Sequence, residues 1–324
     1  MKILADKNIP LLKYFFSNFV ESIDTVSPDK FYQKNLLQYD ILLIRSTIKI
    51  SSDILKNARP KIIASCVSGS DHMDLDYLKK ESIMYYTASG CNSQSVSSYV
   101  KQIINGLINK SLLRHNGKIA IIGVGNIGKK IVKFLQKKNY EIVQCDPFRA
   151  IKESKFPHIP IEYITNCDMI CLHIPLTFDG KFPTYHIISE CFLKKQLLNT
   201  IIINTSRGNI IHPNVFFSSQ KFIFCFDVWP KEPNIPVDLV QKSYIATPHI
   251  AGYTKLGISK GVHMAYNKMS NIFHWPKKDL PNNFKKNIHK NLFQLSNSFK
   301  LNIKMKKKTE YIFKKFRKQY MNFS

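Results

Sequence analysis

The chain predicts two α/β domains built on doubly wound parallel sheets, on three observations. Short apolar runs alternate with amphipathic stretches along most of its length. A glycine-rich turn joins an apolar strand to an amphipathic helix near the middle. At 324 residues there is also enough chain for two domains of ordinary size.

Taken in order, residues 2–5, 41–44, 61–66 and 83–87 read as buried strands separated by helical material. Residues 92–113 read as one long helix, with Asn92 or Ser93 available as its N-cap. Further strands are expected at 118–122, 141–145, 169–173, 200–204, 222–226 and 244–246. The tail differs in composition. Residues 277–324 hold 14 basic and two acidic side chains, so a boundary is expected near Trp275-Pro276. Within the tail, Tyr311, Phe313 and Phe316 form a helix-spaced aromatic stripe beside a basic face, which suits a docking helix.

Composition narrows the function. No apolar run approaches the roughly 18 residues of a spanning helix. The opening Met-Lys-Ile-Leu-Ala-Asp meets an acid at Asp6 and lacks the apolar core of an export signal, so a cytoplasmic location and no membrane partner are expected. Seven cysteines without a Cys-x-x-Cys pair read as reduced core residues. Cys167, Cys171 and His173 lie in a strand pattern with no second ligand pair at a zinc spacing, so no metal is expected. The net charge is +26, yet only six of the 48 basic residues are arginine (45, 59, 114, 149, 207 and 317). Nucleic-acid proteins recruit arginine for forked contacts, so the lysine excess reads as compositional bias and no specific nucleic-acid partner is expected.

The sharpest motif is Gly123-Val-Gly125-Asn-Ile-Gly128, preceded by a five-residue apolar strand and followed by an amphipathic helix. Gly123 permits the tight turn, Gly125 lets backbone approach a pyrophosphate, and Gly128 lets helix and strand pack closely. Asp146 ends the next strand, where it can accept hydrogen bonds from an adenosine ribose and so favours NAD over NADP. Arg149 stands nearby without displacing that acid. Downstream, Arg207 follows an apolar strand and its fork suits a carboxylate. Glu232 and His249 suit a proton acceptor with an orienting acid, which hydride transfer from an alcohol requires.

The order Gly-x-Gly-x-x-Gly, Asp146, Arg207, Asp227, Glu232, His249 resembles the D-2-hydroxyacid dehydrogenase family. Met1-Lys-Ile-Leu-Ala-Asp-Lys-Asn-Ile-Pro, Ser68-Gly-Ser-Asp-His-Met-Asp, Ser89-Gly-Cys-Asn and Pro248-His-Ile-Ala-Gly-Tyr resemble its 4-phosphoerythronate-oxidising branch, over residues 1–275. The resemblance implies NAD-dependent oxidation of 4-phosphoerythronate on the route to pyridoxal phosphate. It implies a flavodoxin-like substrate domain (1–90 plus 251–275), a Rossmann NAD domain (91–250), a cleft between them, and a shortened dimerisation tail (276–324) supporting a homodimer.

By the same resemblance, Arg207, Glu232 and His249 take the catalytic positions, and Asp227, Gly252 and Ile174 lie near the nicotinamide. Ser46, Val67 and Tyr253 take substrate-contacting positions, with Val67 and Ile174 standing where relatives carry threonine. Arg45, beside Ser46, is a candidate for the phosphate. The rival readings are another family member, such as one acting on 3-phosphoglycerate, and a catalytically idle NAD-sensing protein whose basic tail contacts nucleic acid.

Overall fold

In the computed structural model, residues 1–217, 222–284, 291–306 and 308–323 are described. The chain divides into two compact units, Met1–Asn92 with Thr254–Asn287, and Ser93–Tyr253 with Ile288–Ser324.

The first unit has five parallel strands, β1 (Lys2–Asp6), β2 (Ser22–Val26), β3 (Ile41–Ile44), β4 (Ile62–Ser65) and β5 (Tyr85–Thr87). Their order is β2-β1-β3-β4-β5, the flavodoxin-like arrangement, with its switch point between β1 and β3. β3 and β4 are wholly buried, as strands covered on both faces are. β2 is the strand that apolar runs do not reveal. It is an edge strand reading Ser-Ile-Asp-Thr-Val, and only Val26 is buried. The long helix Lys255–Phe273 belongs to this unit, packing Val262, Ala265, Tyr266 and Met269 against Phe15 and Phe16.

The second unit has six parallel strands, β6 (Lys118–Ile122), β7 (Glu141–Cys145), β8 (Met169–Leu172), β9 (Ile201–Asn204), β10 (Ile223–Phe226) and β11 (Ile245–Ala246). Their order is β11-β10-β9-β8-β6-β7. The order reverses between β6 and β8, which makes that the switch point. Outside β7, His158 adds a single parallel bridge to Gln144, where a full nucleotide-binding sheet has a further strand. Helix α1 (Ser93–Asn109) buries Val96, Tyr99, Val100, Ile103, Ile104 and Leu107, and α2 (Gly128–Gln136) adds Ile131, Val132 and Leu135 to the same core.

Two tail helices, α3 (Leu292–Lys306) and α4 (Thr309–Phe323), complete this unit. The composition shift near Trp275 therefore precedes the division between units. Phe299, Ile303, Ile312, Phe313 and Phe316 share one core with Phe224, Phe226 and Ala246. The Ser296 hydroxyl accepts the Ala246 N–H at 2.9 Å, so α3 satisfies a backbone donor of the edge strand β11. Of the aromatic stripe expected to serve docking, Phe313 and Phe316 are thus buried in their own chain, while Tyr311 is exposed.

The cysteines need one correction. Six of the seven are buried, but Cys191 is exposed because it lies on the outer side of the short helix Glu190–Leu193, whose inner residues are Phe192 and Leu193. Among the described residues, no helix is long and apolar enough to cross a membrane.

Phe299 has no exposed surface and its ring lies 5.5 Å from that of Phe316. Phe299→Ala is expected to lower stability by about 3–5 kcal/mol, the cost of deleting a buried aromatic ring. Urea unfolding monitored by tryptophan fluorescence checks this, since Trp229 shares the same core.

Candidate active site

Because every strand of the second sheet runs parallel, its C-terminal ends gather on one edge. The glycine loop leaves β6 there. Gly123 has φ +88°, a backbone conformation that disfavours side chains, and a Cβ at this position would collide with the carbonyl of His173. Gly128 opens α2 against the Gly123 carbonyl, and a side chain there would separate helix from strand. Gly125 is the opposite case, since a Cβ at that position would meet nothing within 4 Å. A tight turn, a helix N-terminus and open space above the middle glycine form a cradle that fits a pyrophosphate. Ile174, after β8, packs its side chain near Gly123 and so supports the loop rather than offering a polar contact.

Asp146 stands one residue beyond β7. Its Oδ2 accepts the Val124 N–H at 2.9 Å and its Oδ1 accepts the Arg149 N–H at 3.0 Å, capping the short helix Pro147–Lys152. Each oxygen retains a lone pair for a ribose hydroxyl. Arg149 is occupied. Its Nε donates to Glu153 Oε1 at 2.9 Å, Nη2 pairs with Glu153 Oε2, and Nη1 donates to the Val124 carbonyl at 3.2 Å. The one arginine near the ribose position is therefore matched by an acid and bonded to the loop itself.

At the other end of the sheet edge, His249 and Glu232 meet. His249 Nδ1 lies 2.7 Å from Glu232 Oε2, and Glu232 Oε1 accepts the Trp229 N–H at 2.8 Å. Burial opposes ionisation of Glu232. The charge and hydrogen bond of His249, the Trp229 N–H and the Arg317 cation outweigh it and hold the carboxyl below its usual range. An ionised carboxylate only accepts, so His249 Nδ1 carries a proton, and in the neutral imidazole Nε2 is the acceptor. A half-buried imidazole held in this way can take a proton from a hydroxyl at Nε2.

Asp227 lies beneath this pair and is 1% exposed. Its Oδ1 accepts the Thr247 hydroxyl at 2.6 Å and the Ile250 N–H at 2.8 Å, and its Oδ2 accepts the Ala251 N–H at 2.9 Å. Burial wins and pushes the carboxyl above its usual range, against the pull of His249 and these donors. Asp227 thus grips the loop that carries His249 and Gly252. Thr247 spends its single proton on Asp227, so Tyr99, 2.5 Å away, donates to Thr247. Trp229 Nε1 donates to the Thr247 carbonyl at 2.8 Å. Sequence reasoning missed Tyr99, Thr247 and Trp229. Tyr99 lies 148 residues from Thr247, a pairing that no local pattern could reveal.

Arg207 is half-buried between β9 and the turn Gly208–Ile210, with Nη1 donating to the Ser206 carbonyl at 2.8 Å. A Cβ on Gly208 would collide with the backbone at Trp229 and Pro230. This glycine therefore lets the arginine turn lie directly against the turn that carries Glu232. His173, after β8, has its Nδ1 3.3 Å from the Thr205 hydroxyl, and burial lowers its pKa to about 4, so the ring is neutral.

Three of the remaining expected residues, Ser46, Val67 and Arg45, lie in the first unit. Ser46 is exposed after β3, and Val67 is half-buried after β4, where its carbonyl accepts the Ala88 N–H at 3.1 Å. Both stand at C-terminal strand ends, where open α/β sheets bind ligands. Arg45 is 7% exposed, donates to the Asn8 carbonyl at 3.1 Å, and places Nε 3.7 Å from the Asp6 carboxylate. Its charge is already met inside its own domain. Tyr253 is the last residue of the second unit's first segment.

Since Asp146 holds its carboxylate at the ribose end and Arg149 is committed to Glu153, NAD is expected to bind more tightly than NADP. Asp146→Ala should narrow that gap, and equal wild-type affinities in a fluorescence titration would contradict it.

The profile of the D-isomer specific 2-hydroxyacid dehydrogenase NAD binding domain matches residues 99–251. Erythronate-4-phosphate dehydrogenase of Coxiella burnetii is 37% identical over 276 residues, covering 85% of this chain and 75% of that protein. The Bacteroides thetaiotaomicron protein of the same name is 34% identical over 283 residues, covering 85% and 80%. Among solved structures, the NAD-bound 3-phosphoglycerate dehydrogenase of Entamoeba histolytica superposes with a TM-score of 0.70 at 21% identity, covering 89% of this chain and 99% of that one. At that identity the likeness speaks for the fold alone. The glycine cradle, the acid after β7 and the histidine–glutamate pair accord with these relationships, and the chain belongs to the D-isomer-specific 2-hydroxyacid dehydrogenase family of NAD-dependent oxidoreductases.

Proposed function

We propose that this enzyme oxidises 4-phospho-D-erythronate at its 2-hydroxyl, giving 2-oxo-3-hydroxy-4-phosphobutanoate for pyridoxal 5′-phosphate formation. The observation that carries the chemistry is the 2.7 Å contact between His249 Nδ1 and Glu232. The choice of substrate rests on relatives bearing that activity at 34–37% identity over most of both chains.

Bound NAD supplies the acceptor for the hydride that leaves C2. His249 Nε2 takes the hydroxyl proton as the hydride departs, and Glu232 stabilises the imidazolium that results. Arg207 holds the substrate carboxylate in its fork, which fixes C2 relative to the imidazole. Gly123, Gly125 and Gly128 seat the pyrophosphate and Asp146 the ribose. Ile174, Asp227 and Gly252 shape the nicotinamide end, Asp227 by holding the loop rather than by direct contact. Ser46, Tyr253 and the backbone at Val67 complete the substrate contacts. Arg45 is left out of the phosphate site, because Asp6 already pairs with it.

A cytoplasmic homodimer belongs to the same reading. Phe313 and Phe316 are committed to their own domain, so the dimer uses another surface. Sedimentation at tens of micromolar reads this out, and a monomer there would contradict it.

The test of function is NADH formation by the purified protein with 4-phosphoerythronate and NAD, beside 3-phosphoglycerate as competitor. Faster turnover of the first is expected, and the reverse would favour the rival substrate. His249→Ala should slow turnover about 10²–10⁴-fold, the usual worth of a positioned proton acceptor, with NAD affinity little changed. Glu232→Gln should also slow the reaction.

A further inference from the structure

The tail helix α4 does more than cover the core. Its residues Phe313, Phe316, Arg317 and Tyr320 fall on one helical face, and Phe313, Phe316 and Tyr320 are buried in the second unit. Between these anchors, the Arg317 guanidinium lies over the ring of Tyr253, 4.6 Å from its centroid. The same cation contributes to holding Glu232 ionised, and Glu232 is hydrogen-bonded to His249. One turn on, Tyr320 is buried in the same unit, and burial together with the charge of Asp227 raises its phenol. Tyr253 follows that loop directly, four residues after His249.

We propose that Arg317 is a positioning residue for the dehydrogenase reaction, reaching from the C-terminal helix to fix the Tyr253 ring. The inference rests on the functional reading of Tyr253, Glu232 and His249 given above. It assigns the tail a part in substrate handling within its own chain. A cation over a ring restricts the ring's position more than an apolar neighbour does, because the attraction depends on alignment with the ring face. Loss of the cation should therefore appear in substrate affinity, through Tyr253.

The experiment compares Arg317→Met and Arg317→Lys in the full-length enzyme. The substrate is whichever member of a 2-hydroxyacid panel, headed by 4-phosphoerythronate, the wild type oxidises fastest. Failure with 4-phosphoerythronate itself then overturns the substrate reading and leaves this test in place. Arg317→Met, which keeps the apolar stem and removes the charge, should lower kcat/KM about tenfold, mostly through a raised KM. Arg317→Lys should recover most of that loss. NAD affinity should match the wild type in both, because the pyrophosphate and ribose contacts are assigned to the glycine loop and Asp146. An Arg317→Met enzyme with wild-type KM and kcat overturns the proposal, as does an Arg317→Lys enzyme no better than Arg317→Met. Should Arg317→Met fail to bind NAD, and so fail to fold, Arg317→Gln carries the same comparison.

Discussion

The buried carboxylate of Asp227 is the constraint on which the rest of the site depends. His249 has φ +54°, in the left-handed region, at a cost of about 1–3 kcal/mol for a residue with a side chain. Asp227 holds it there from both sides. The Asp227 carbonyl accepts the His249 N–H at 2.7 Å, and its carboxylate accepts the next two backbone N–H groups. Each hydrogen bond contributes about 0.5–1.5 kcal/mol, so the three together suffice to offset the strain. The strained backbone then turns the imidazole toward Glu232.

Glycine decides the second relationship. Gly208 brings the arginine turn against the Trp229 backbone, and Trp229 gives its N–H to Glu232 and its indole N–H to the Thr247 carbonyl. Three strand ends, after β9, β10 and β11, are thereby tied into one unit by backbone contacts. The proposed carboxylate anchor and proton acceptor inherit their spacing from this. The electrostatics at the other end follow the same economy. Glu153 matches Arg149, so the local field at Asp146 is set by the acid and the helix N-terminus, and the net charge of +26 plays no visible part there.

The tail shows how composition can mislead. Its lysines suggest a detached basic segment, yet Phe299, Ile303, Ile312, Phe313 and Phe316 face inward. Ser296 meets an open strand edge, and Phe299 and Phe316 fill the space beside Phe224 and Phe226. Lysines tolerate such a position because only one face of each helix is buried.

The strands of both sheets, the glycine loop and the acid beyond β7 were legible in the chain itself. Each is encoded locally, as an apolar run, a turn residue or a fixed offset along a βαβ unit. The edge strand Ser22–Val26 was not, because half-exposed strands carry no continuous apolar signal. Candidate residues at 207, 232 and 249 could be named from motif order, but only folding decided which of them touch. Tertiary structure also decided the fate of two arginines, one expected at the phosphate and one given no role by the sequence. Arg45 is absorbed by Asp6, and Arg317 is brought beside Tyr253 from 64 residues away. The physical reason is the same in both cases. A side chain's charge is written in the sequence, but what neutralises or employs it depends on groups that only the packed chain brings within a few ångströms.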